Sequence, residues 1–156
     1  MSTPLHIGGR RELFVDALLI DRLDGVRLAL HRPRPREIAI TCDAPWEGAA
    51  PGYTTVLHAE GCYRLYYRAA PGHCEDSDTR QLTCYAESDD GIQWRKPELG
   101  LVEVLGSTRN NILWHGIMSH NLTPFYDTNP ACPPDQRYKA VGGCNAEWGG
   151  GEGLVL

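Results

Sequence analysis

The chain has 156 residues, of which 42% are hydrophobic and 22% are charged, and its formal net charge is -5. This composition predicts a single soluble globular domain over residues 1–156, and its acidic balance with scattered Lys and Arg argues against a nucleic-acid partner. No run approaches the ~20 apolar residues that span a bilayer, and residues 1–6 lack a secretory signal, so we expect a cytoplasmic protein with no membrane partner.

The N-terminal stretch over residues 10–41 is predicted to contain strands. Within residues 12–30, apolar residues alternate with others on both sides of Asp24-Gly25, which is a hairpin signal. A helix fits some of the same apolar positions, and such short runs do not exclude it. The prolines that follow predict a loop with one short strand at residues 37–41.

Residues 52–96 are predicted to form a first four-stranded unit. Residues 53–58 and 62–69, joined by a short turn, predict a half-buried antiparallel hairpin, because side chains alternate between two faces in the second segment. A third strand is expected at residues 82–88 and a short fourth strand at residues 92–94. The turn between these last two strands is predicted from its own chemistry: an Asp side chain bonds backbone amides, Gly91 takes a positive φ, and Trp94 packs under the hairpin.

Residues 101–156 are predicted to form a second, incomplete unit. Strands are expected at residues 101–105, 111–114, 123–125, 137–141 and 154–156. The two units share a repeated sequence, because Cys84-x-Ala86-Glu87 returns as Cys144-x-Ala146-Glu147. Repeated strand-loop-strand units of this length are typical of β-propeller blades. We therefore predict an all-β protein whose antiparallel sheets resemble part of a propeller.

The cysteines allow two interpretations. Six are present, and an even count suits three disulfides in an exported protein, but for this chain we expect reduced thiols. No two of them have the spacing of about two to four residues that a structural zinc site uses. We predict no metal and no other cofactor.

The first predicted hairpin and its approach resemble a known group of enzymes. Trp46, followed by residues 52–67, is similar to the first blade of the five-bladed propeller glycoside hydrolases, the invertase-like and arabinanase-like families and their uncharacterised relatives. The turn over residues 88–94 is also common among them. The resemblance covers most of residues 10–148, about two blades. It implies hydrolysis of small β-linked or furanosidic sugars, such as β-galactosides, arabinosides or fructosides.

Three positions depart from the family pattern that the resemblance implies. The family's catalytic aspartate, three residues after the tryptophan, corresponds to Ala49, and the nearest acid is Glu47. The second-blade aspartate that precedes a proline-containing strand corresponds to His120-Asn121. The family's acid/base glutamate lies on the third blade, beyond residue 156. A non-catalytic carbohydrate-binding or structural fragment of a longer propeller hydrolase is therefore the alternative function.

Glycoside hydrolysis requires two carboxyl groups, about 5 to 5.5 Å apart for retention or about 6.5 to 9.5 Å apart for inversion. Glu47 is the first candidate, because Trp46 beside it can raise a carboxyl pKa and face a sugar ring. Glu87 and Glu147 occupy equivalent places in the two repeats, and Asp16 completes the candidate set. For each of them the alternative is a solvated or turn-capping carboxylate.

The substrate-binding residues are predicted at the entrances of the two units. Trp46 and Tyr53 offer aromatic faces, and His120 with Asn121 offers hydrogen-bond donors and acceptors to sugar hydroxyls. Trp46 has an alternative role as a core residue under the first hairpin. Asp127 is expected to form an Asx turn instead of a catalytic group.

The expected partners are a small carbohydrate and further copies of the chain. About two blades leave open sheet edges, and exposed edges tend to pair with another chain. We therefore predict a homo-oligomer.

Overall fold

The computed structural model describes residues 5–72, 80–143 and 153–155. Seven strands in two antiparallel sheets, with two short 3₁₀ turns and no α-helix, make up the regular structure of these residues. The predicted all-β class with antiparallel sheets is confirmed. In the same residues, no helix has the length and apolar character needed to cross a membrane. The chain divides into two compact units, Met1–Glu37 and Ile38–Leu156.

The first unit contains no strand in its described residues, 5–37. Its backbone hydrogen bonds are local, from Arg10 N to Ile7 O at 3.3 Å and from Ile20 N to Ala17 O at 3.0 Å. The strands predicted over residues 10–41 are therefore not formed, since an alternating sequence becomes a strand only when a neighbouring backbone pairs with it.

The first sheet has the strand order β1-β2-β3-β4. Its strands are β1 Gly52–Ala59, β2 Cys62–Ala69, β3 Leu82–Ser88 and β4 Ile112–His115. The hairpin between β1 and β2 turns through Glu60 and Gly61, whose φ angles are 55° and 75°. Two successive positive φ values are typical of the type I′ turn, whose twist matches that of the flanking strands. The first three strands agree with the prediction.

The fourth strand of this sheet differs from the prediction. Residues 92–94 form no strand, and the chain after β3 makes only an isolated bridge between Glu87 and Arg95. Pro97 lacks the N–H that a continuing ladder would need. The chain returns later as β4, which the sequence had assigned to the second unit. The strand predicted at residues 101–105 is also not formed.

The turn that follows β3 has the predicted chemistry. Asp90 Oδ1 accepts hydrogen bonds from the N–H groups of Ile92 and Gln93, each at 2.8 Å. Gly91 has a φ of 75°. The Trp94 ring packs against the core of the first sheet. Local side-chain chemistry was sufficient to predict the turn, although the strand expected at residues 92–94 is not formed.

The second sheet has the strand order β5-β6-β7. Its strands are β5 Thr123–Tyr126, β6 Tyr138–Gly142 and β7 Gly153–Val155. β5 pairs with β6 from Thr123 opposite Val141 to Tyr126 opposite Tyr138. The sheets meet where β1 contacts β5. The second copy of the repeated sequence, residues 144–147, lies outside the described residues.

The two faces of the first sheet have different neighbours. One face forms the hydrophobic core through alternate residues of its strands, including Leu65, Tyr67 and Cys84, with Ile112 from β4. Residues of the preceding and following loops cover this face: Ile40, Cys42, Trp46, Trp94, Val102 and Val104. The opposite face carries Tyr66, which borders the second sheet.

Candidate functional site

A tight turn before β1 positions Glu47. The Glu47 N–H donates to Ala44 O at 2.9 Å, and the Ala44 N–H donates to Glu47 Oε2 at 2.8 Å. Gly48 follows with a φ of 70°, and a Cβ atom there would lie 1.8 Å from the carbonyl oxygen of Ala70. Only glycine fits this close approach, so the turn is fixed against the end of β2.

Glu47 has no exposed surface. Its Oε1 accepts the Tyr67 hydroxyl at 2.5 Å and lies 2.8 Å from Lys96 Nζ. Its Oε2 accepts the Ala44 N–H and lies 2.9 Å from the same Lys96 Nζ. A buried carboxylate requires such charge pairing and hydrogen bonds. Both oxygens of Glu47 therefore already have partners.

The network extends from Glu47 through Tyr67 to Asn111. The Asn111 amide donates to the Tyr67 oxygen at 2.8 Å and to Tyr85 O at 2.7 Å. The Trp46 indole N–H donates to Asn111 Oδ1 at 2.9 Å. Burial, and then the hydrogen bond to Glu47, raise the pKa of Tyr67, so its hydroxyl stays protonated as a donor. We call this set the Glu47 network: Trp46, Glu47, Tyr67, Lys96 and Asn111.

The thiols around this network are inert. Cys42, Cys62, Cys84 and Cys132 are free, whereas Cys74 and Cys144 lie outside the described residues. Burial, with the nearby Glu47 charge, raises the pKa of Cys84 to about 12. The same two causes raise the pKa of Cys42. Raised thiol pKa values leave little thiolate at neutral pH, so neither is an activated nucleophile.

A second group lies where β1 begins, β2 ends and β5 is entered. The guanidinium of Arg68 lies 4.2 Å from the centre of the Tyr53 ring. The His120 ring lies 6.5 Å from the Tyr53 ring, and His120 Nδ1 is 3.2 Å from Gln81 Oε1. We call these four residues, Tyr53, Arg68, Gln81 and His120, together with Asn121, which follows His120 in the sequence, the Tyr53 site. Its side chains offer one aromatic ring and several hydrogen-bonding groups.

Two residues of the Tyr53 site have strained backbones. Tyr53 has a φ of 51° and Asn121 a φ of 53°. For a bulky residue such as tyrosine this conformation is an outlier that costs about 1–3 kcal/mol. The Tyr53 residue is nevertheless 54% exposed. Asn121 Oδ1 is buried and has no hydrogen-bond partner within the described residues.

A pocket of about 280 Å³ adjoins the Tyr53 site through Arg68. Its other walls are small residues: Gly48, Ala49, Ala50, Ala69, Ala70 and Gly72. Ala49, which corresponds to the family's catalytic aspartate in the resemblance, is one of these walls. The described wall of the pocket therefore carries a guanidinium and no carboxylate.

The predicted catalytic carboxylates Glu47 and Glu87 lie in different surroundings. Glu47 lies in its network, whereas Glu87 on β3 accepts the Tyr85 hydroxyl at 3.4 Å and lies 3.5 Å from Arg95. Asp16 belongs to the first unit and accepts a local backbone N–H at 2.9 Å. Glu147 lies outside the described residues.

The predicted binding residues divide into two places. Tyr53, His120 and Asn121 all belong to the Tyr53 site. Trp46 packs against the hydrophobic core of the first sheet, the alternative that the sequence allowed. The partners of Glu47, which are Tyr67 and Lys96, were missed by the sequence analysis.

The described residues contain no cluster of three or more His, Cys, Asp or Glu side chains arranged to hold a metal ion. Comparison of the chain with protein-family models, with curated proteins and with solved structures finds no match. The chemistry of the Glu47 network and of the Tyr53 site is therefore the basis for a functional proposal.

Proposed function

We propose that this chain binds carbohydrate at the Tyr53 site without cleaving it. The observation that carries the proposal is the half-exposed ring of Tyr53, held at a strained φ beside His120. Strained residues of this kind concentrate at ligand-binding sites. An aromatic ring next to amide and imidazole groups suits a sugar, which has apolar C–H faces and many hydroxyls.

The state of the carboxylates favours binding over hydrolysis. A glycosidase needs two carboxyl groups that reach the glycosidic bond, one of them protonated. Glu47 has no exposed surface and is paired with Lys96. The five residues of the Tyr53 site include no carboxylate. These two observations support binding over hydrolysis.

Glycoside hydrolysis is the second proposal, with β-galactosides, arabinosides or fructosides as substrates. It is favoured by one observation, which is that Glu47 lies directly before Gly48 and Ala49 in the wall of the small-residue pocket. Buried charged groups next to a pocket are candidate functional groups. In this proposal the pocket has to open toward Glu47 before substrate binds.

The arrangement of the sheets supports a further part of the proposal, that the two sheets are blades of an incomplete five-bladed propeller. β1 and β5, the first strands of their sheets, contact each other as inner strands of adjacent blades do. β1 and β4 are edge strands of the first sheet, so we also propose a homo-oligomer formed through open edges. A monomer in light scattering at micromolar concentration would exclude the oligomer.

Calorimetric titration with a panel of mono- and disaccharides tests the binding proposal. We expect Tyr53→Ala to weaken the best ligand by about 1–3 kcal/mol, because it removes the ring contact. Phe125→Ala is the matched control, since Phe125 is 41% exposed on β5 and lies outside the Tyr53 site. Equal loss in both variants, or no sugar bound by the wild type, would exclude binding at this site.

Assays with nitrophenyl glycosides separate the two proposals. We expect no turnover by the wild type. Turnover that falls about a thousandfold in Glu47→Gln would instead establish hydrolysis with Glu47 as an essential carboxylate.

A further inference from the structure

A cleft runs between the first and second sheets, on the face of β2 and β3 opposite the hydrophobic core. Its polar part has a volume of about 500 Å³ and its apolar part about 200 Å³. Tyr66, Leu113 and Tyr138 line both parts, so the two are continuous. Together they are large enough for a ligand of the usual small-molecule size.

The polar part presents hydroxyls and carboxylates. The Tyr138 hydroxyl donates to Glu60 Oε2 at 2.8 Å, and Arg64 Nη2 lies 3.4 Å from the same oxygen. The Tyr85 hydroxyl is 3.4 Å from Glu87 Oε2. Each of the two carboxylates has an arginine beside it, Arg64 at Glu60 and Arg95 at Glu87, so these pairs leave no excess positive charge for an anionic ligand. Carboxylate oxygens and phenols beside aromatic rings suit the hydroxyls and C–H faces of a neutral sugar.

Protonation of the phenols is fixed around neutral pH. Burial, and next the hydrogen bond to Glu60, raise the pKa of Tyr138 to about 12. Burial, and next the charge of Glu87, raise the pKa of Tyr85 to about 12. Both groups remain neutral hydroxyls that can donate or accept.

The apolar part has the opposite character. Trp114 on β4, which is 49% exposed, stands over one side of it. Its other apolar walls are Leu113, Met118, Leu122, Pro124 and Ala140. Lys139 is the one charged residue among the described residues of its wall, and its Nζ donates to Asp127 Oδ2 at 2.6 Å. A hydrocarbon group fits this part, because most of the side chains that line it are apolar.

We propose that this cleft binds a neutral glycoside with an apolar aglycone, its sugar in the polar part and its alkyl or aryl group beside Trp114. The site is separate from the Tyr53 site and does not depend on the function proposed above. A free sugar leaves the apolar part empty. A simple alcohol fills the apolar part but brings no sugar hydroxyls to the carboxylates of the polar part. Either ligand therefore binds more weakly than the glycoside that combines them.

Calorimetric titration of the full chain with octyl β-glucoside, kept below its micelle-forming concentration, tests this proposal. We expect octyl β-glucoside to bind at least about tenfold more tightly than methyl β-glucoside, because each CH₂ group that is buried favours binding. Octanol should also bind at least about tenfold more weakly than octyl β-glucoside, since it lacks the sugar hydroxyls. Equal affinity of octyl β-glucoside with either of the other two would overturn the proposal.

Variants then locate the ligand. Trp114→Ala, with Met118→Ala as a second substitution in case the first perturbs folding, should weaken octyl β-glucoside about tenfold and leave methyl β-glucoside unchanged. Glu60→Gln should weaken both glucosides. Phe125→Ala, the matched control, should change neither. Loss of octyl β-glucoside binding in Tyr53→Ala would place the ligand at the Tyr53 site and would overturn this proposal while supporting the previous one.

Discussion

The Glu47 network and the Tyr53 site lie in the same unit but differ in how their polar groups are satisfied. In the Glu47 network a buried carboxylate has hydrogen bonds on both oxygens and a lysine as counter-ion. In the Tyr53 site a large aromatic residue is exposed at a strained φ, and the buried Asn121 side-chain oxygen has no hydrogen-bond partner among the described residues. Satisfied groups stabilise a fold, whereas strained or unsatisfied groups are what a ligand can still improve.

The largest effect is expected from a substitution in the Glu47 network. Lys96→Ala leaves the Glu47 carboxylate buried without its counter-ion, which should lower the free energy of unfolding by about 3–5 kcal/mol. Urea denaturation measures this change. Arg109→Ala is the control, because the Arg109–Glu98 pair has side chains 80% and 60% exposed and should matter little. Similar losses in both variants would mean that the Glu47–Lys96 pair stabilises the fold no more than an exposed ion pair does.

Gly48 joins the network to the pocket beside the Tyr53 site. Gly48→Ala places a Cβ atom 1.8 Å from Ala70 O at a φ of 70°, so we expect a loss of about 1–3 kcal/mol from overpacking in addition to backbone strain. Gly100→Ala isolates the strain, because Gly100 has a φ of 71° and nothing within 4 Å of the added Cβ. Thermal unfolding of the two variants compares these contributions. Equal melting temperatures would show that the Ala70 contact does not constrain the turn.

Substitution of Tyr53 should not destabilise the chain, in contrast to Lys96→Ala and Gly48→Ala. Tyr53→Gly releases a left-handed backbone that costs a non-glycine residue about 1–2 kcal/mol, although it also removes the contact with Arg68. We expect unchanged or slightly increased stability together with loss of sugar binding. Val56→Gly on the same strand, where Val56 is 52% exposed, should lose about 1 kcal/mol. If Tyr53→Gly destabilises the chain as much as Val56→Gly, the φ angle of Tyr53 does not lower the free energy of unfolding.

The parts of the fold that could be predicted depend on local patterns. The β1–β2 hairpin, β3 and the turn after it follow from alternation and turn residues, and the Asx turn at Asp127 is confirmed by its 2.8 Å bond from the Asn129 N–H. The sequence predicted a strand near β4 but not that it pairs with β3, because strand alternation does not say which strand will be the partner. The all-β class was thus predictable, whereas the order of strands in the first sheet was not.

The candidate site shows the same limit. Tyr53, His120 and Asn121 were selected from the entrances of the two units, and the structure places the Tyr53 and His120 rings 6.5 Å apart. The partners of Glu47 have no local signal, since Tyr67 and Lys96 lie 20 and 49 residues away. The strain at Tyr53 was also hidden, because tyrosine and its β-branched neighbours are residues that favour an ordinary strand.

The smallest expected effect compares the buried Glu47–Lys96 pair with a more accessible pair, Asp127–Lys139. The Lys139 hydrogen bond, and next the Asn129 N–H, lower the pKa of Asp127 from 3.8 to about 2. Because the folded pKa lies below the unfolded value, the stabilisation is present above pH 3.8 and is lost as the pH falls through about 2.

Asp127→Asn should therefore flatten the decline in stability within this pH window and lower the stability at neutral pH only slightly, because solvent screens an accessible ion pair. Chemical denaturation at a series of pH values measures the slope. Asp135→Asn is the control, since Asp135 belongs to an exposed turn. An unaltered slope in Asp127→Asn would show that the Lys139 pair does not persist in solution, whereas a large loss at neutral pH would place Asp127 with the buried pair and remove the contrast between them.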